Sequence, residues 1–230
     1  LGGLAHSYHT FWVVPPNLSY DRVMADVYGQ RRLTAKGQAT RDRIVAVATD
    51  LIARQGVAGT NTDQVRRVAG VSGSQLHHYF GTKQALIRAV ITRQADAVGE
   101  HGGLPQIGAL DSFDALQAWA DAAIARQSEN DGRGDCTLGT LAAELSISDE
   151  QSRATLCDGF LRWKDLLHNG LQRMQTRGEL RPDADIEQLA YALLAALQGG
   201  TLLAQTLRDT IPLQSAMNAA LAYIRSHANT

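Results

Sequence analysis

Two short apolar stripes of helical period, one on either side of a glycine, constrain the fold of this chain more than any bulk property does. Val65, Val68 and Ala69 recur at the spacing of one helix face, and Leu76, Tyr79 and Phe80 do so a few residues later, with Gly70 between them. Glycine accepts the positive φ that a tight turn after a helix requires, so the chain is predicted to change direction there. Thr62 is placed to cap the first helix and Ser72 the second, since a side-chain oxygen at the start of a helix accepts an otherwise unsatisfied N–H. Two short helices across such a turn make a helix-turn-helix.

The helical reading extends along the chain. Thr40 is placed to cap a helix with Ile44, Val47, Ala48, Leu51 and Ile52 on one face, stopping at Gly56. Thr82 begins a fourth helix through Leu86, Val90 and Ile91 towards Gly99. Further helices are expected at about 112–127, 138–146, 149–177, 185–208 and 211–226. No alternation of apolar and polar residues is long enough for a strand, so the expected fold is all-α. A three-helix helix-turn-helix domain is placed at 35–90 and a larger helical domain at 91–230. Residues 1–34 show no sustained period and contain Pro15-Pro16, so they are expected to be a flexible extension or leader, with Met24 as an alternative start. His101-Gly102-Gly103-Leu104-Pro105 is too short for a free linker, so the two domains are expected to dock.

Charge divides the chain. From Arg31 to Arg93 eleven Lys and Arg face three acids, a net +8, whereas after Arg93 ten face eighteen, a net −8, inside an overall charge of −1. A basic module on an acidic body suits a polyanion at one end, because Lys and Arg gain affinity by displacing counterions from phosphates. A solvated charged face is the plain alternative. No apolar run approaches a membrane span and no secretory signal is evident, so a cytoplasmic location without membrane association is expected. Cys136 and Cys157 form neither a disulfide framework nor a metal cluster, and no cofactor is implied. A redox switch through them is an alternative, and so is a helical enzyme. Against the enzyme, the carboxylates at Glu144, Asp149-Glu150, Asp183 and Asp185 are scattered like helix-surface and capping groups, without a nucleophile elbow or zinc motif.

Thr60-Asn61-Thr62-Asp63-Gln64-Val65, Ala69-Gly70-Val71-Ser72 and Leu76-His77-His78-Tyr79-Phe80-Gly81-Thr82-Lys83 resemble, in order and spacing, the TetR family of bacterial transcription regulators. Cys136-Thr137-Leu138-Gly139, Ala142-Ala143-Glu144 and Ala195-Ala196-Leu197-Gln198-Gly199-Gly200 resemble the C-terminal domain of its LmrA/YxaF-type branch. The likeness implies a homodimer on double-stranded DNA with a palindromic operator, probed by Thr62, Ser72, Gly73, Ser74, Gln75, His77, His78, Tyr79 and Lys83. Gln75 is the candidate base reader, because an amide matches the N7/N6 edge of adenine, and Lys83 the candidate phosphate contact. A solvated Gln75 and a purely capping Thr62 are the plain alternatives.

Three departures from the family pattern stand at this surface. His77 replaces a common Tyr and donates most strongly when protonated, so affinity is expected to rise as pH falls. Arg66 stands where a small residue usually packs, which requires either its stem to lie along the contact or the helix to rotate. Ser74 replaces a common Gly.

In the body, Trp119, Phe160 and Trp163 are candidate walls for a planar apolar effector, with His168 as a polar contact, although an ordinary core explains each of them too. By family likeness the last two helices form a two-fold interface through Leu193, Leu197, Gly200, Leu213, Met217 and Leu221. The implied function is a repressor that releases its operator when a small apolar or aromatic molecule binds.

Overall fold

The computed structural model describes residues 33–101, 109–129 and 137–229. The extension expected at 1–34 lies almost wholly outside them, as does Cys136. The described residues form nine helices: α1 (Ala35–Gly59), α2 (Thr62–Ala69), α3 (Gly73–Phe80), α4 (Lys83–His101), α5 (Phe113–Glu129), α6 (Thr137–Leu145), α7 (Glu150–Thr176), α8 (Ile186–Leu207) and α9 (Ile211–Arg225). Among the described residues the extended pairing is one isolated bridge, Leu180 with Ala228. The all-α expectation therefore holds, with the body helices ending close to where Ser, Thr, Asp and Gly marked them.

Helix starts show which polar residue wins a cap. Thr34, not Thr40, opens α1, its hydroxyl accepting from Gly37 N at 3.2 Å. Asn61, not Thr62, caps α2, with Oδ1 accepting from Gln64 N at 2.8 Å, and this moves Thr62 to the first helical position. Ser72 caps α3 as expected, and Thr82 Oγ1 accepts from Ala85 N at 3.1 Å ahead of α4. Gly70 adopts the left-handed conformation (φ 63°, ψ 41°) that turns α2 towards α3. Gly56 also has a positive φ, 72°, but with ψ 173° it kinks α1, and helical structure resumes through Gly59.

The N-terminal core gathers Ile44, Ala48 and Ile52 of α1, Val65 and Ala69 of α2, Leu76 and Phe80 of α3, and Leu86, Val90 and Ile91 of α4. Each large side chain buried there contributes about 1.5–3 kcal/mol of transfer free energy. Val68 is the exception to its stripe at 61% exposed, because an eight-residue helix buries one narrow face and positions 65 and 69 occupy it.

α4 runs unbroken through residue 90 and packs against α7. Gly159 of α7 permits that approach, since a Cβ there would come within 2.9 Å of the Ala95 Cβ. Arg162 pairs with Asp96 at 2.9 Å and Arg88 lies 3.9 Å from Asp149 across the same contact. α8 and α9 form an antiparallel hairpin against α7 and α5 around Trp119, Leu141, Leu167, Leu193 and Met217.

Candidate nucleic-acid interface

α3 is built to present one face. Leu76 and Phe80 anchor it inward, while Gly73, Ser74, Gln75, His77 and His78 are exposed. Arg41 sits over the Phe80 ring at 5.4 Å, which ties α3 to α1. Half-buried Tyr79 meets the His78 ring edge-on at 5.3 Å between centroids.

Polar side chains on this face are partly committed to the protein itself. Ser72 Oγ accepts from Gln75 N at 3.1 Å, and Gln75 Oε1 accepts from Ser72 N at 2.9 Å, a reciprocal capping box. The amide expected to read adenine is thus folded back onto the helix start, and bidentate base contact requires it to swing outward. Ser74 Oγ lies 2.9 Å from Ser72 Oγ. Lys83 Nζ donates to the Val57 carbonyl at 2.9 Å, which leaves two of its three donors for an anion. The Arg66 stem lies along the recognition helix, with Cδ 3.9 Å from where a Gly73 Cβ would stand, and its Nε is 3.4 Å from Asp63 Oδ1. Thr62, Asp63, Arg66, Gly73, His77, Thr82 and Lys83 line a cleft of about 290 Å³ between α2, α3 and the start of α4.

Behind this face lies a joint that the sequence reading did not find. Glu144 of α6 places its carboxylate at the Gly56 kink, where Oε2 accepts from Val57 N at 3.0 Å and from Ala58 N at 3.3 Å, and Oε1 accepts from Val57 N at 3.2 Å. A carboxylate 87 positions away in sequence therefore caps the resumed helical turn. Glu144 is exposed on its helix, as the sequence reading has it, but its carboxylate makes a contact that reading lacks, and Gly56, read as a stop, is a kink. The readable trace was the restart itself, Val57-Ala58-Gly59 after a glycine, which leaves main-chain N–H groups in need of an acceptor.

Residues 44–90 match the sequence family described as "Bacterial regulatory proteins, tetR family", and 112–220 match "Tetracyclin repressor-like, C-terminal domain". The HTH-type transcriptional regulator Rv0196 of Mycobacterium tuberculosis is 31% identical over 183 residues, covering 76% of this chain and 89% of that one. The chain belongs to the TetR family of bacterial transcriptional regulators. LmrA of Bacillus subtilis, another HTH-type regulator, is 22% identical over 76% of this chain and 90% of its own. A TetR regulator from Chloroflexus aurantiacus shares the fold at a TM-score of 0.70 and 26% identity, covering 85% of this chain and 98% of that one. This TetR-family protein is thus an HTH transcriptional regulator and not an enzyme.

The regulator's body places the other candidate residues in different settings. Trp119 is fully buried core. Trp163 is 4% exposed, and its indole Nε1 has no hydrogen-bond partner among the described residues. Phe160 is half-buried and lines a cavity of about 370 Å³ between α6, α7 and α8. His168 lies away from that cavity, 3.8 Å from Glu187 in a surface cluster with Lys164. Leu193, Leu197, Gly200, Leu213, Met217 and Leu221 are all buried inside the subunit, the most exposed of the five apolar side chains being Leu197 at 6%. The expected interface stripe is therefore the stripe that α8 and α9 turn to their own core, because the longest apolar face of an amphipathic helix is buried first within its own chain. Cys157 is exposed on α7. No helix of the described residues is long and apolar enough to cross a membrane.

Proposed function

We propose that this TetR-family regulator represses transcription as a homodimer, holding a palindromic operator through α3 and releasing it when a small apolar molecule enters the body. Residues 35–90 act as the DNA module and 91–230 as the effector and dimer body. The observation that carries the reading is the exposed α3 face, Gly73, Ser74, Gln75, His77 and His78, flanked by Arg66 and Lys83 on a module of net +8 over residues 31–93. Base edges in a major groove are read by such a face, and cations beside it hold phosphates.

Dimerisation is supported by apolar side chains left outside the core. Leu202, Leu203 and Leu207 of α8 are 58%, 52% and 63% exposed, and Ile211 and Tyr223 of α9 are 61% and 38% exposed. Exposed apolar side chains on two adjacent helices suit a second copy related by a two-fold axis. Two identical recognition helices then enter grooves about one helical turn apart, which makes the operator a palindrome. Effector control is supported by the cavity beside Phe160 and by the Glu144 joint, which links α6 of the body to the end of α1.

Selection of bound fragments from random DNA tests this reading. The expected winner is a pair of inverted half-sites, and Gln75→Ala should cost about 1–3 kcal/mol at one base pair per half-site. Enrichment of no palindrome overturns it.

A further inference from the structure

The cavity next to Phe160 carries more than apolar walls. Ala142, Ala143, Phe160, Gly199 and Leu202 supply its greasy surface, and Gly199 opens onto space, since a Cβ there would meet nothing within 4 Å. Glu144 also lines it and is the one charged residue among the described residues that do. Its carboxylate is held by the main-chain N–H groups of Val57 and Ala58, and no side-chain cation of the described residues pairs with it. An apolar cavity with a single carboxylate in its wall favours a ligand that matches both features. An aliphatic or aromatic body gains from leaving water, and one positive charge meets the exposed carboxylate at the rim of the apolar surface. An anionic ligand of the same shape meets repulsion instead.

We propose that this cavity binds an apolar molecule bearing a protonated amine, with the ammonium paired to Glu144. The proposal rests on the effector reading above and specifies its chemistry. It also supplies the coupling. The carboxylate that receives the ammonium is the group that caps the α1 turn after Gly56, and Lys83, at the start of α4, donates to the carbonyl of that turn's Val57. An ammonium competes for the lone pairs that Val57 N and Ala58 N use, so an occupied cavity loosens the tie between α6 and the DNA module. Linkage then requires that operator DNA weaken amine binding by the same factor as the amine weakens operator binding.

Three probes of one shape test it on the full chain: 4-phenylbutylamine, 4-phenylbutan-1-ol and 4-phenylbutyrate, titrated calorimetrically. The amine should bind at least tenfold more tightly than the alcohol, and the carboxylate should not bind detectably. Glu144→Gln should remove the difference between amine and alcohol, while Ala143→Leu, which narrows the cavity from an exposed helical position, should weaken both. Equal affinities of amine and alcohol for the unmodified protein overturn the proposal without any variant, as does a preference that survives Glu144→Gln. Equal affinities of amine and alcohol that Ala143→Leu lowers alike keep the effector cavity while removing its charge preference. Binding by none of the three overturns the proposal. Amine binding that leaves affinity for the selected operator unchanged locates the failure in the effector reading instead.

Discussion

Gly200 of α8 lies so close to Leu213 of α9 that a Cβ on the glycine would stand 2.8 Å from the leucine Cα. Its neighbour Gly199 has no such constraint, since a Cβ there meets nothing within 4 Å. The Gly-Gly pair thus contains one packing requirement and one vacancy beside the cavity. Gly200→Ala should destabilise the protein by about 1–3 kcal/mol through overpacking. Gly199→Ala should stabilise it by about 1 kcal/mol through helix propensity. Denaturant unfolding of the two variants measures both, and equal effects contradict the assignment.

Asn61 and Thr62 compete for the cap of α2, and the geometry assigns it to Asn61. Asn61→Ala should cost about 1 kcal/mol of stability. Thr62→Ala, at an exposed first helical position, should stay within about 0.5 kcal/mol. If Thr62 touches the operator, its alanine variant weakens DNA binding while leaving the unfolding midpoint unmoved, so the two measurements separate the roles.

This contrast shows what was legible in the sequence. Turns announced by residues a few positions apart were readable: Gly70 between two stripes, Ser72 before Leu76, Thr82 before Leu86. The Ser72…Gln75 spacing was also a capping-box signature, yet the amide was read for its match to adenine, because chemistry alone does not say which partner a side chain reaches first. Burial of Leu193, Leu197 and Met217 inside the subunit was hidden for a different reason. An apolar stripe records that a helix face avoids water, without recording whether its own chain or a second one covers it. The Glu144 contact with Val57 spans 87 positions, and no local pattern reports an interaction that only tertiary packing creates.

Asp111 should make part of the stability pH-dependent. A hydrogen bond from Arg173 at 3.0 Å is the largest influence on its carboxyl and, with Arg177 also donating, holds it below the ordinary carboxylate range despite the opposing effect of burial. A carboxyl depressed in the folded state favours folding above its unfolded value, about pH 4, and loses that contribution as pH falls through the lower folded value. Unfolding temperatures of the unmodified protein and Asp111→Asn should differ by a constant amount from pH 5 to 8 and converge below about pH 4. A gap that persists at pH 2 would assign the effect to packing.

Lys83 stands between two roles that one variant can separate. Its ammonium holds the Val57 carbonyl at 2.9 Å, yet it lies at the N-terminus of α4, where main-chain N–H groups also attract anions, and in the cleft between α2 and α3. Two free donors on the ammonium suit a phosphate oxygen without breaking the internal bond. If it contacts DNA, Lys83→Ala should weaken binding to all sequences alike and reduce the slope of log affinity against log salt by about 1 per subunit. Base preference in the selected operator should be unchanged. A lower unfolding temperature with an unaltered salt slope would make Lys83 a brace for the Gly56 turn and move the phosphate contact to Arg66 or His77.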